Sequence, residues 1–176
     1  MLAVQLLFWH ATSGHWLLDS YAGEQFEFAH SHLLEGLFSF RKGWLLYTPL
    51  AGLMLLGLGA VRQWVPAAVA PAVLLLPVLL YVTFSWEAWW YGGGFSARPL
   101  VSLYPLLALP LAALLAEAQR WPWPRRRLLQ TVFGLCIVLN LWQTWQFATG
   151  ALRPDRTTGE QYRRNFFRPV PPATAE

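Results

Sequence analysis

Residues 65–86 read VPAAVAPAVLLLPVLLYVTFSW, a run without Asp, Glu, Lys, Arg or His. About 20 residues at 1.5 Å rise each make a helix long enough to cross the hydrocarbon core of a bilayer. Three more runs, residues 43–61, 99–116 and 128–148, share this composition. Helices that are apolar all round would leave a water-soluble bundle with no polar face. Barrel strands alternate polar and apolar residues over about 10 positions, and these runs do not. Within lipid the remaining way to satisfy a backbone is the α-helix. The sequence therefore predicts an all-α fold, a polytopic transmembrane helix bundle with about four spanning helices and an interfacial N-terminal segment.

Composition outside these runs agrees. Only 12% of residues are charged, against about 25% in a soluble domain. Most of the charges gather in residues 19–42, residues 117–127 and the tail after Gly150. Trp44, Trp64, Trp86, Trp89, Trp90, Trp121, Trp123, Trp142 and Trp145 lie toward the ends of the runs, where an indole meets both lipid and headgroups. Three regions follow: an extramembrane or interfacial segment at 1–42, a transmembrane region at 43–149, and a basic tail at 150–176 expected to be disordered. Residues 1–9 are apolar but too short to span, and they lack the features of a signal peptide. They read as the end of a helix. A short helical piece is expected over residues 33–40. Residues 62–64 form a tight turn, so the first two spans should be antiparallel neighbours. Residues 119–127, QRWPWPRRR, read as a rigid basic loop. Pro66, Pro71 and Pro77 predict a kink in the second span.

The net charge is +4, with its cations in loops. That suits anionic headgroups; no charged folded surface is expected that could hold nucleic acid. Cys136 sits inside the fourth run as a small packing residue. A transporter-like reading has little support, because no ionisable acid or base lies within a run.

The chemistry-bearing stretch is residues 85–99, SWEAWWYGGGFSARP. Three consecutive glycines let a backbone turn sharply and approach a ligand. Trp90 and Tyr91 offer flat faces for a sugar ring or a prenyl chain, Glu87 sits at the membrane edge, and Arg98 offers a fork for phosphate. Arg41 and Lys42 precede the first span, where an anionic headgroup could sit against a helix N-terminus. The bland alternative for both is charge and tryptophan anchoring at a bilayer edge. His30 and His32, with Glu24 or Glu27, invite a divalent-metal reading, but no established ligand spacing is present. No catalytic dyad, phosphate-binding loop or nucleophile motif is found. No cofactor is expected.

Residues 37–49, LFSFRKGWLLYTP, resemble a pattern in bacterial polytopic membrane glycosyltransferases of the GT-C type. These are relatives of the protein O-mannosyltransferases and the aminoarabinose lipid A transferases. Residues 89–99, WWYGGGFSARP, followed by Tyr104, resemble a second block of those proteins, in the same order. The resemblance spans roughly residues 5–118. It implies transfer of a sugar from a polyprenyl-phosphate donor, in the bacterial inner membrane. Arg41, Lys42 and Arg98 would neutralise the donor phosphate, and Trp90 and Tyr91 would contact sugar or prenyl chain. On this resemblance the chain would be the C-terminal part of such an enzyme, truncated or split. The catalytic acidic residue is then expected in an N-terminal half, on a missing segment or a partner chain, with this part not catalytic alone. The resemblance also places residues 10–42 on the extracytoplasmic face, where they and residues 86–98 would line the donor site, whereas a plain count of loop cations favours cytoplasmic termini. The alternative is a non-enzymatic membrane scaffold or assembly subunit.

Overall fold

A computed structural model describes residues 2–16, 23–153 and 156–168. Asp19 and the Pro-rich end, residues 169–176, lie outside the described residues. The described chain is all-helical, with one isolated antiparallel bridge between Phe26 and Trp86. Nine α-helices occur among the described residues: α1 (Leu2–Ser13), α2 (Leu33–Phe38), α3 (Trp44–Tyr47), α4 (Leu50–Leu56), α5 (Leu58–Trp64), α6 (Pro66–Phe84), α7 (Tyr104–Glu117), α8 (Trp123–Ala148) and α9 (Gly159–Asn165). The expected helical piece after residue 33 is α2, and the apolar N-terminal residues lie in α1.

The first apolar run is not one straight helix. Thr48 adopts φ −135° and ψ 68°, and the Pro49 ring that follows disfavours helical backbone at that position. Gly57 divides α4 from α5 but stays close to helical dihedrals. A Cβ at Gly57 would run into the backbone carbonyl of Pro110. Glycine there lets α4 and α5 cross α7 at backbone contact, the close approach that substitutes for a hydrophobic drive between helices in lipid.

The tight turn at 62–64 is the last turn of α5, and a break at Val65 sends α6 back beside α5. Pro66 opens α6, where its missing N–H is not needed. Pro71 and Pro77 lie inside the helix and forgo the hydrogen bonds their N–H groups would give to Ala67 and Val73. A 3₁₀ turn at Arg98–Leu103 leads into α7, and another at Ala118–Arg120 follows it. The expected basic loop is shorter than residues 119–127. Pro124 lies in the first turn of α8, so Arg125, Arg126 and Arg127 are helical.

Two stretches, Arg98–Arg120 and Trp123–Ala148, are long and apolar enough to cross a membrane; Val69–Phe84 is apolar but shorter. The core helix of a soluble protein would be mostly covered, yet only 6% of the apolar window in Trp123–Ala148 is buried. Leu128, Leu135, Val138 and Leu141 all stand exposed, a surface that asks for lipid or a partner.

The helices run up and down between two ends. At one end Arg120 donates to Gln63 Oε1 at 3.5 Å and covers the Trp64 ring. At the other, Asn140 Nδ2 donates to the Tyr47 carbonyl at 2.7 Å, and Phe95 packs against both Tyr47 and Phe147. The core near that second end holds Trp44, Ala51, Phe84, Leu100 and Leu107.

The tail departs from the expectation of disorder in residues 159–165, which form α9. Its start carries a capping box: Gln161 N–H donates to Thr158 Oγ1 and Thr158 N–H to Gln161 Oε1, each at 3.3 Å. Tyr162 inserts against Tyr47 and Phe40. Gln143 Nε2 donates to Tyr162 Oη at 2.7 Å, and Gln146 Nε2 to the carbonyls of Asn165 and Phe166 at 3.0 and 2.8 Å. Gln143 and Gln146, polar residues within the fourth apolar run, therefore face the docked α9 segment.

Candidate functional site

The end of the molecule that holds Tyr47 also gathers residues 24–48 and 85–98. The order begins at the backbone. Glu27 N–H donates to the Ser85 carbonyl at 2.6 Å, Glu87 N–H to the Gln25 carbonyl at 3.0 Å, and His32 N–H to the Phe84 carbonyl at 2.8 Å. These bonds lay the segment after Gly23 along the C-terminal end of α6. The glycine-bearing loop then turns back over the start of α3. Tyr91, Gly92 and Ser96 take positive φ values of 50°, 68° and 50°. Two of them are not glycine, a strained arrangement that surrounding contacts must hold. Tyr91 Oη donates to the Thr83 carbonyl at 2.6 Å, and Ser96 Oγ lies 3.4 Å from Thr48 Oγ1.

The two sequence blocks, about 50 residues apart, meet here. Lys42 is 3% exposed, and its Nζ donates to the Gly94 carbonyl. The Arg41 guanidinium stands 3.7 Å from the centroid of the Trp90 ring and 5.7 Å from that of Trp89. A guanidinium over an indole face is attracted by the ring quadrupole. Behind the loop, Trp44 Nε1 donates to Tyr104 Oη at 3.2 Å, and Tyr104 Oη donates in turn to Thr48 Oγ1 at 3.5 Å.

In front of the loop lies an open cleft of about 600 Å³, lined by Glu24, Phe26, Trp86, Trp90, Tyr91 and Arg98 with Ala88 and Gly92. Arg98 is exposed and makes no ion pair with a described residue. One carboxylate, Glu24, shares the cleft lining with it. Glu24 Oε2 accepts the indole N–H of Trp86 at 2.9 Å, and Glu87 Oε2 accepts the backbone N–H of Gln25 at 3.4 Å. The wall is thus aromatic, with one guanidinium and one carboxylate on it, which can receive a flat polar ring and an attached anion.

Of the residues singled out in the sequence, Trp90, Tyr91 and Arg98 line the cleft. Arg41 backs Trp90. Lys42 is different: it is buried behind the loop and holds it, where a phosphate ligand was expected. Glu87 pairs with the neighbouring segment rather than lining the cleft wall. Glu24, Phe26 and Trp86 also line the cleft; they fall inside the ranges 10–42 and 86–98 expected there, but no pattern in the sequence singles them out as wall residues. Among the described residues no three His, Cys, Asp or Glu side chains gather to hold a metal ion. His32 instead stacks against Trp89 at 5.8 Å between ring centroids.

Comparison of the chain with known protein families, with characterised proteins and with solved structures gives no match.

Proposed function

We propose that the chain crosses a membrane four times and binds a phosphorylated, sugar-bearing lipid in the cleft, as part of a polyprenyl-phosphate-dependent sugar-transferring membrane enzyme. Arg98 meets the phosphate, Trp90 and Tyr91 meet the sugar or the first prenyl units, and Arg41 and Lys42 hold the aromatic loop in place. The observation that carries the reading is the meeting of the two blocks. Residues 41–48 and 89–98 are remote in sequence, and each supplies part of one cleft wall or its backing through the Arg41–Trp90 stack and the Lys42–Gly94 hydrogen bond. The four-span reading is supported by the up-and-down path of α4–α5, α6, α7 and α8 between two ends rich in tryptophan and charge. Catalysis needs an acidic base that another segment or chain supplies.

The tied carboxylates favour a second reading. Glu24 and Glu87 both accept hydrogen bonds that tie residues 24–25 to residues 86–87, a structural role that suits a non-enzymatic membrane subunit. One experiment separates the two. The full chain, reconstituted in nanodiscs, is titrated with a polyprenyl-phosphate-linked sugar. The sugar-transfer reading expects saturable binding that weakens about tenfold or more in Arg98→Ala, the loss of one charge-assisted contact. No binding, or binding unchanged in Arg98→Ala, rejects it in favour of the subunit.

A further inference from the structure

The opposite end of the molecule carries a second arrangement that the cleft does not explain. Five arginines collect on the α5–α6 turn and the α7–α8 connection: Arg62, Arg120, Arg125, Arg126 and Arg127. Glu117 is the one carboxylate on these elements, and it pairs with Arg120 at 3.3 Å. The other four make no ion pair with a described residue. Arg125, Arg126 and Arg127 occupy the beginning of α8, where the helix macrodipole repels cations. Uncompensated positive charge at this point is unfavourable unless an anion joins it.

The apolar half of a matching ligand also has a place. A groove of about 540 Å³ runs from Arg62 down α6, lined by Pro66, Val69, Ala70, Val73 and Leu74. Trp64 and Trp123 stand exposed at the same end, with Arg120 over the Trp64 ring and Arg127 over the Trp123 ring at 5.3 and 5.7 Å. Arg62 thus lines the same groove as the apolar residues of α6, with further arginines and two exposed indoles at that end, a pairing of cation and apolar channel that suits an anionic lipid.

We propose that this end binds an anionic phospholipid, its phosphate held by Arg62 and the Arg125–Arg127 cluster and an acyl chain laid in the groove along α6. The site is independent of the sugar-transfer reading and lies at the other end of the helices.

The test is lipid retention by the purified full chain, measured by native mass spectrometry after exchange into mixed micelles with phosphatidylglycerol or phosphatidylcholine. The chain should retain phosphatidylglycerol in preference by about tenfold or more, as several arginines near one headgroup provide. Arg62→Gln combined with Arg125→Gln, Arg126→Gln and Arg127→Gln should abolish the preference. The corresponding lysine variants should keep most of it, which separates lost charge from lost fold. Arg98→Ala should leave it unchanged. No preference in the parent chain, or a preference that survives the glutamine substitutions, overturns the proposal. Displacement of the lipid by inorganic phosphate alone would reassign the site to a free anion and overturn it too.

Discussion

Lys42 shows how an amino acid read as a ligand can serve as a support. A lysine next to an arginine at the mouth of a membrane helix suggests an anion. In the folded chain its stem is buried and its ammonium is committed to the Gly94 carbonyl. A buried ammonium is stable only when its donors are used. The bond also fixes the glycine loop, whose neighbours Tyr91 and Ser96 sit at positive φ. Lys42→Met keeps the length of the stem and removes the donor. It should loosen residues 91–96, seen as faster amide hydrogen exchange there with α7 and α8 unchanged. Unchanged exchange in the loop would show that Lys42 does not hold it. No property of the sequence separates this role from phosphate binding, since both need a lysine at the same place; only the position of the Gly94 carbonyl does.

At the scale of elements, apolar runs were the most legible feature. Each of the four contains helix in the structure, the element that satisfies its backbone within one segment. Their interruptions were less legible. The Thr48-Pro49 break follows from proline chemistry, whereas the Gly57 division exists because Pro110 approaches there, a contact remote in sequence. The tail was least legible. Its arginines and prolines read as disorder, yet Tyr162 and the Gln143 and Gln146 amides dock α9 onto α8. Burial raises the Tyr162 pKa above its ordinary value of 10.0, and the Gln143 hydrogen bond offsets part of that rise. An undocked Tyr162 loses its proton at lower pH than a docked one, so the docked state binds more protons above pH 10. Docking should therefore be at full strength below that pH and weaken as pH rises through it. Limited proteolysis within residues 150–168 should accelerate above about pH 10 in the parent chain. In Tyr162→Phe, that acceleration should be absent; its persistence would place the pH response elsewhere.

For the whole molecule, charge and aromatic residues divide between two ends. The loop cluster at 24–48 and 85–98 shares its end with α9, and the α5–α6 turn shares the other with the start of α8. This division was only half legible in the sequence. Loop cations were visible, and the resemblance put Arg41, Lys42 and Arg98 on one donor site, but the side-chain pairings that join the blocks, Arg41 on Trp90 and Lys42 on Gly94, were not. Such pairings depend on contacts across about 50 residues, which periodicity does not encode. The division gives a direct test of the four-span reading on which both proposed sites rest. Cys136 is the one cysteine in the chain, so a Cys136→Ala background accepts single reporter cysteines at His30, Gln63, Gly93, Gln119 and Arg153. Labelling sealed vesicles with a membrane-impermeant maleimide should modify positions 30, 93 and 153 from one side and positions 63 and 119 from the other. Modification of position 63 from the same side as positions 30 and 93, or of 119 from the same side as 93, would contradict it.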